Sequence, residues 1–420
     1  MLSASPSSPT FSLRGRRGPS HGLLIALICS LASPILAEHE GPWNRHTIDN
    51  GSRGADGVRL GDINGDGLQD IVTGWEEGGI VRLYLNPGPE KAKDKWPAVT
   101  VGPAKNVEDA VLVDLDNDGT MDVVSSCEGK TKTMFVHWGP EDKTKLLDED
   151  AWVTEPIPAT AGKQMWMYCL PKGPRRSDGA FVLHVGSKGK DAAFGSLISG
   201  ENPRDLDEWT YLRFSDVGWI MSIQHYRNEA FDYDFVLMTD RRGPTRGVYR
   251  ISDHDLEPDE IQQDEAEYMF AHAVPHPNDD LYTLIAVATR NGFVQLYDDL
   301  QSQRSFGAPI HVPNPFGVKQ GKAVAIGRLD KDQHSDLVVS FNTQSQKDKP
   351  GVVWIKVLPD KDPKDWPAYD ISGLKGKKFD RIELIDLDGD GDLDVLTCEE
   401  ADNLGVIWYE NPYGVKLTKP

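Results

Sequence analysis

What this chain has little of narrows it first. Cysteine is scarce, four residues in 420 (Cys29, Cys127, Cys169 and Cys398), and their spacing suits neither a zinc site nor a disulfide framework. No structural disulfide is expected. Cations are outnumbered, 45 Lys and Arg against 66 Asp and Glu, for a net charge of −21. A nucleic-acid partner would need a basic face to meet its phosphates, so nucleic acid is not expected as a ligand. Beyond the N-terminal segment there is no run of about 18 apolar residues, so no membrane span is expected. Also missing are a P-loop, a dinucleotide fingerprint and a nucleophile elbow.

The N-terminal segment is of a different kind. Arg14, Arg16 and Arg17 precede LLIALICSLASPILA, a run short for a bilayer and ending in small residues. It reads as a secretory signal over 1–37, cleaved near 32–37. Residues 38–420 would then be a secreted or periplasmic protein, expected to be monomeric.

What the chain does have is repetition. Asp62-Ile-Asn64-Gly-Asp66-Gly-Leu-Gln-Asp70 returns as DLDNDGTMD over 114–122 and as DLDGDGDLD over 386–394. A damaged copy, RLDKDQHSD, runs from Arg328 to Asp336 with Gln333 in place of glycine. The surroundings repeat as well. Short β-rich runs, separated by Gly, Asn, Asp and Pro, precede and follow each loop, and a further run opens at Trp96, Trp152, Trp209 and Trp366. Four strands in roughly 50 to 60 residues is the size of a propeller blade. Counting units in which the strand pattern survives without the loop gives seven. The last unit lacks its Trp strand, while an orphan Trp strand, Trp43 to Asp49, stands near the N-terminus. The expected fold is therefore all-β, a seven-bladed β-propeller of four-stranded blades in which the N-terminal strand closes the last blade and removes an exposed edge. The repeated tryptophans are expected to pack between blades rather than to bind anything.

The acid-rich loops read as metal sites. In each, the first, third, fifth and ninth positions carry oxygen side chains: Asp62, Asn64, Asp66 and Asp70; Asp114, Asp116, Asp118 and Asp122; Asp386, Asp388, Asp390 and Asp394. Glycine at the sixth position permits a sharp turn. All-oxygen ligation disfavours zinc and copper, and a flexible, highly charged loop suits calcium better than magnesium. About three calcium ions with a structural role are expected, so that binding free energy adds to folding free energy. In the damaged copy, Arg328 is expected to stand in for the cation's charge.

These D-x-[DN]-x-D-G-x-x-D loops, one per blade between two strands, resemble the FG-GAP and VCBS repeats of integrin-like seven-bladed propellers and of many secreted bacterial proteins. The resemblance spans roughly Trp43 to Tyr413 and implies calcium binding without implying an activity. The GSKG turn at 186–189 and the DRRGPTRGV segment at 240–248 are similar to turns that mark the middle blades of secreted bacterial VCBS-type propellers.

In a propeller the turns joining strands one and two, here the metal loops, lie on one face, and the turns joining strands two and three lie on the other. That second face collects Trp75, Glu76, Glu128, Lys188, Asp240, Arg241, Arg242, Arg246, Arg290 and Glu400, with Lys322 and Lys378 arriving from connections between blades. Cations gathered on one face of an acidic protein suggest a locally positive field that steers an anionic or hydroxylated ligand. The first reading is a binding module for an anionic glycan or an extracellular protein partner. The alternative is a polysaccharide lyase acting on uronate chains, with His225, Tyr226, His272 and Lys188 as candidate acid–base groups and Arg241 or Arg242 on the carboxylate. Convergence of Lys188, Arg241, His225 and Glu400 in one funnel would favour chemistry, and a spread ring would favour binding.

Overall fold

A computed structural model describes residues 41–413, apart from 173–179, 217, 229–232, 253–258, 263, 277–281, 301–304, 307, 315 and 333. The expected signal segment, 1–37, lies outside the described residues. Seven antiparallel sheets follow one another along the chain as the blades of a β-propeller. Blade 1 consists of Ala55–Gly61, Asp70–Trp75, Ile80–Tyr84 and Ala98–Pro103, and blade 2 runs from Val107–Val113 to Val153–Pro156. Blades 3, 4 and 6 begin at Met165–Pro171, Ile220–Asn228 and Gly321–Gly327. Blade 5 begins at Tyr268–Pro275, and its outer edge is split between Ser305–Phe306 and Ile310–Val312, both paired to Val294–Leu300.

Blade 7 is completed from the other end of the chain. Asn44–Asp49 pairs antiparallel with Gly405–Glu410, placing Asn44 opposite Glu410 and His46 opposite Trp408. A side-chain contact fixes this register, with His46 Nε2 lying 2.9 Å from a Glu410 carboxylate oxygen. Closure covers the outer edge of Gly405–Glu410, which would otherwise stand open to the wrong association of sheets.

Alternation along the strands explains the core. Second strands such as Asp70–Trp75, Asp122–Cys127 and Asp394–Glu399 are buried along their whole length, because they are flanked in their own sheet and covered by both neighbouring blades. The tryptophans that precede the outer strands are buried, and in blades 1 to 3 their indoles donate back to the connection before them: Trp96 to the Ala92 carbonyl at 3.0 Å, Trp152 to Leu146 at 3.1 Å, Trp209 to Pro203 at 2.9 Å. Trp96 packs in one cluster with Trp75 of its own blade and Trp408 of blade 7. Each such ring thus pins its own connection and fills a seam between blades. Cys127, Cys169 and Cys398 are buried and free.

All seven innermost strands share an irregularity. Each loses register with its neighbour near its opening end, between Val107 and Asp109, Trp166 and Tyr168, and Ile220 and Ser222, and likewise in the other four blades. A β-bulge turns one side chain away from the regular alternation. Here seven bulges re-aim seven side chains at the same end of the central channel.

Candidate binding funnel and metal loops

Two sets of side chains, one pair per blade, surround that end of the channel. The first set follows the second strand: Glu76, Glu128, Lys188, Arg241, Arg290, Asn342 and Glu400 in blades 1 to 7. Its backbone position is held in common. The N–H of Glu76 donates to the Gly54 carbonyl at 2.7 Å, Glu128 to Asn106 at 2.8 Å, Arg241 to Trp219 at 2.8 Å, and Glu400 to Lys378 at 3.1 Å. The second set lies at the bulges: Asp56, Glu108, Met167, Met221, Met269, Lys322 and Asp380.

In blade order the two sets sort by charge. Blades 7, 1 and 2 present only carboxylates: Asp380 and Glu400, Asp56 and Glu76, Glu108 and Glu128. Blades 3, 4 and 5 present a cation above a methionine, and blade 6 presents Lys322 with Asn342. The funnel is therefore a polarised cavity, acidic on one wall and basic on the other. Its lining encloses about 260 Å³ and includes Asp56, Glu76, Glu108, Glu128, Lys188, Arg241, Lys322, Lys378 and Asp380, with Met167, Tyr168, Trp219 and Met221. An adjoining cavity of about 340 Å³ shares Arg241 and Lys322 and adds Arg242, Arg290, Gln320 and Asn342, with no acid in its lining.

Ion pairs stitch the walls together. Lys188 pairs with Glu128 and, at 3.2 Å, with Glu108; Lys322 pairs with Asp380, and Lys378 with Glu400. Arg241 and Arg242 instead lie over the Trp219 ring, 5.0 and 4.4 Å from its centroid. Arg242 and Arg290 both approach Glu267, at 3.8 and 3.7 Å. Burial, then the neighbouring Asp380 and Glu108, push the Asp56 carboxyl well above the usual carboxylate range. Glu76 is raised by burial and by Glu108 and Glu400. Arg241 is drawn down to about 10 by burial and by repulsion from Arg242 and Arg290. Burial opposes ionisation of Asp380, yet Lys322 and Lys378 hold its carboxyl low.

The remaining residues expected on this face are placed elsewhere. Trp75 turns into the core, where its indole donates to the Tyr84 hydroxyl at 2.8 Å. Asp240 organises the turn, accepting the N–H groups of Gly218 and Trp219, each at 2.7 Å, and of Arg242 at 3.1 Å. Glu399 does the same in blade 7, taking N–H donors from Lys377, Lys378, Ala401, Asp402 and Leu404. Arg246 donates to the Glu265 carbonyl at 3.5 Å, outside both cavities. Of the four lyase candidates only Lys188 lines the funnel. Tyr226 packs on Phe235 with centroids 4.9 Å apart. His272 is held neutral by burial and accepts the Ile326 N–H at 3.1 Å across the seam between blades 5 and 6. His225 lies midway along Ile220–Asn228, away from the funnel lining.

At the opposite end, the acid-rich loops have the expected turn: Gly67, Gly119 and Gly391 adopt φ of 87°, 89° and 94° at the sixth position, where a side chain would be strained. The ninth-position carboxylates are buried and double as loop ties. Asp70 accepts the N–H of Ile63 at 3.0 Å and of Asn86 at 2.8 Å, Asp122 those of Leu115 and Gly139, and Asp394 those of Leu387 and Asn411. Burial pushes them up, to about 6, 7 and 7 respectively. Asp114, Asp116 and Asp118 each bring an oxygen within 4.8 Å of the others, as do Asp386, Asp388 and Asp394. Asp114 Oδ1 is buried with no hydrogen-bond donor. An orphaned oxygen among converging carboxylates is a donor set suited to a hard divalent cation. Neighbouring cations also reach two of these loops: Arg204 contacts Asp116 and approaches Asp118 at 3.7 Å, and Lys93 lies 3.0 Å from Asp388. In the damaged copy the cation is Lys356, paired with Asp330 and 3.4 Å from Asp332. The expected Arg328 does not fill that place, and its buried Nε has no hydrogen-bond partner.

Residues 62–125, the first two loops with the strands between them, match the FG-GAP-like repeat family. That segment carries FG-GAP-like repeat sequence. No curated protein matches it in sequence. Solved structures with a similar fold include BBS1N in complex with ARL6DN, 11% identical with a TM-score of 0.53, covering 90% of this chain and 98% of that one. Another is the BP39L lectin from Burkholderia pseudomallei, 14% identical with a TM-score of 0.54, covering 86% of this chain and 98% of that one. At these identities the likeness is one of fold. Among the described residues no helix is long and apolar enough to cross a membrane.

Asp56, Glu108 and Asp380 are the charged funnel residues that sequence reasoning missed. Their signal is positional. Each stands in the opening residues of an innermost strand, a place equivalent to Met167, Met221 and Lys322, and the bulge that exposes it leaves no mark in composition.

Proposed function

We propose that this FG-GAP-like propeller is an exported binding module, stabilised by calcium in its loops, that takes an anionic saccharide into the funnel on the opposite face. The observation that carries the reading is the cavity bounded by Arg241, Arg242, Arg290 and Lys322, which has no acid in its lining. Four cations around one recess, with guanidiniums held by Trp219, form a preorganised seat for a carboxylate or sulfate. The two cavities are recessed and small, about 260 and 340 Å³, one just below and one at the low end of the about 300–1,000 Å³ typical of small-molecule sites. A protein partner would instead need a broad contact of about 800 Å² on each side. Convergence of Lys188, Arg241 and the neighbours of Glu400 on one funnel also suits chemistry, but a lyase needs a base there, and His225, Tyr226 and His272 stand outside the lining.

Calcium belongs to this proposal through the loops. Asp114, Asp116 and Asp118, and Asp386, Asp388 and Asp394, would hold it, and once bound it neutralises carboxylates that otherwise repel one another. The binding test is calorimetry with a uronate oligosaccharide. The Arg241→Ala/Arg290→Ala variant is expected to bind at least about tenfold more weakly, in line with the loss of charge-assisted hydrogen bonds. Undiminished binding by a folded double variant would move the site off the funnel.

A further inference from the structure

We infer that the ligand of this funnel is zwitterionic, a saccharide bearing a free amine as well as a carboxylate, with the ammonium seated at Asp56 and Glu76 and the anion at Arg241. This deepens the binding reading above and rests on it. The basis is which charges the protein satisfies by itself. Lys188, Lys322 and Lys378 are consumed by Glu108 and Glu128, by Asp380, and by Glu400. Among the described residues, Asp56 and Glu76 make no ion pair, and neither does Arg241. The two carboxylates left over belong to blade 1, and the guanidinium belongs to blade 4. In a ring of seven these blades stand on opposite walls of the cavity that all three residues line.

Two facing groups of opposite sign, neither with an ion pair of its own, around a space of about 260 Å³ ask for a body that is positive at one end and negative at the other. A purely anionic ligand would satisfy Arg241 and bring a further negative group towards Asp56 and Glu76. A purely cationic one would do the reverse at Arg241, where Arg242 and Arg290 already crowd the site. The carboxylate side is also built to receive a donor. Asp56 and Glu76 each have an oxygen within 4.8 Å of the other and of Glu400, which Lys378 already pairs, and the two unpaired carboxyls suit the N–H groups of a primary ammonium.

The test compares two disaccharides that differ at one atom group, glucuronate linked to glucosamine with its amine free and the same disaccharide N-acetylated, titrated calorimetrically into the whole protein with calcium present. The free amine is expected to bind about tenfold or more tightly than the acetamide. In Glu76→Gln, and in Asp56→Asn/Glu76→Gln, that ratio should fall towards one. The single variant changes a partly exposed residue, and so tests the inference even if the double variant is unstable. Equal or tighter binding of the acetylated sugar by the unmodified protein would overturn the zwitterion inference and leave the anion-binding reading standing. Binding of neither sugar would overturn both.

Discussion

Lys188, at the end of the second strand of blade 3, reaches back to blade 2, where its ammonium lies 3.2 Å from a Glu108 oxygen and pairs with Glu128. The contact sits on the border between the basic and acidic walls of the funnel and ties two blades together. Lys188→Met keeps much of the volume and strands two carboxylates that are largely buried. The pair retains some solvent contact, so the expected cost is about 2 kcal/mol, below that of a fully buried pair. Urea unfolding reads it, and an unchanged midpoint would mean that water already satisfies Glu108 and Glu128.

Calcium removal is expected to lower the melting temperature and calcium addition to restore it. Each occupied loop contributes about 2.7 kcal/mol when the free ion is at a hundred times its Kd. Arg204 adds a distinguishing sign. Because its guanidinium lies on Asp116 and near Asp118, it competes with an ion in the second loop. Arg204→Ala should therefore melt lower than the parent in chelator and yet bind calcium more tightly at that loop. Identical melting with and without chelator would remove the structural role of the metal.

The pH dependence of stability has its own test in Asp56. Its folded-state pKa is raised, by burial first and by Asp380 and Glu108 next. A group shifted in that direction makes its full contribution below its unfolded pKa, about 3.9, and loses it as the pH rises through the folded value. At neutral pH the Asp56 carboxyl is therefore a burden on the fold. Asp56→Asn is expected to raise the melting temperature at pH 7, with the gain shrinking as the pH falls towards and below about 3.9, where the carboxyl becomes protonated in both states. A variant that melts lower at pH 7 would mean that the carboxylate is needed to balance Lys378.

Much of the architecture was legible because it is built from local signals repeated. A metal loop, two alternating runs and a Trp strand recur with a blade's spacing, and the missing strand of the last unit matches the orphan at Trp43, so seven blades and their closure follow from pattern alone. The turn residues Glu76, Glu128, Lys188, Arg241, Arg290 and Glu400 were legible for the same reason, since each follows a recognisable second strand. The inward course of Trp75 and the service of Asp240 as a turn organiser were not. In each case the deciding neighbours, Tyr84 for one and the N–H groups of Gly218 and Trp219 for the other, meet the residue only on folding.

The sequence by itself determined the repeat, the number of blades, the strand that closes the ring and the chemistry of the loops, because these depend on residues close together in the chain. Tertiary structure decided which charges meet. It chose Lys356 over Arg328 beside the damaged loop, left His272 on a backbone amide, and through a bulge in every innermost strand turned Asp56, Glu108 and Asp380 into the channel. Only when seven blades close into a ring do blades 7, 1 and 2 form one wall and blades 3 to 6 the other. The polarity of the funnel is a property of that closure, since it joins charges hundreds of residues apart that no local pattern relates.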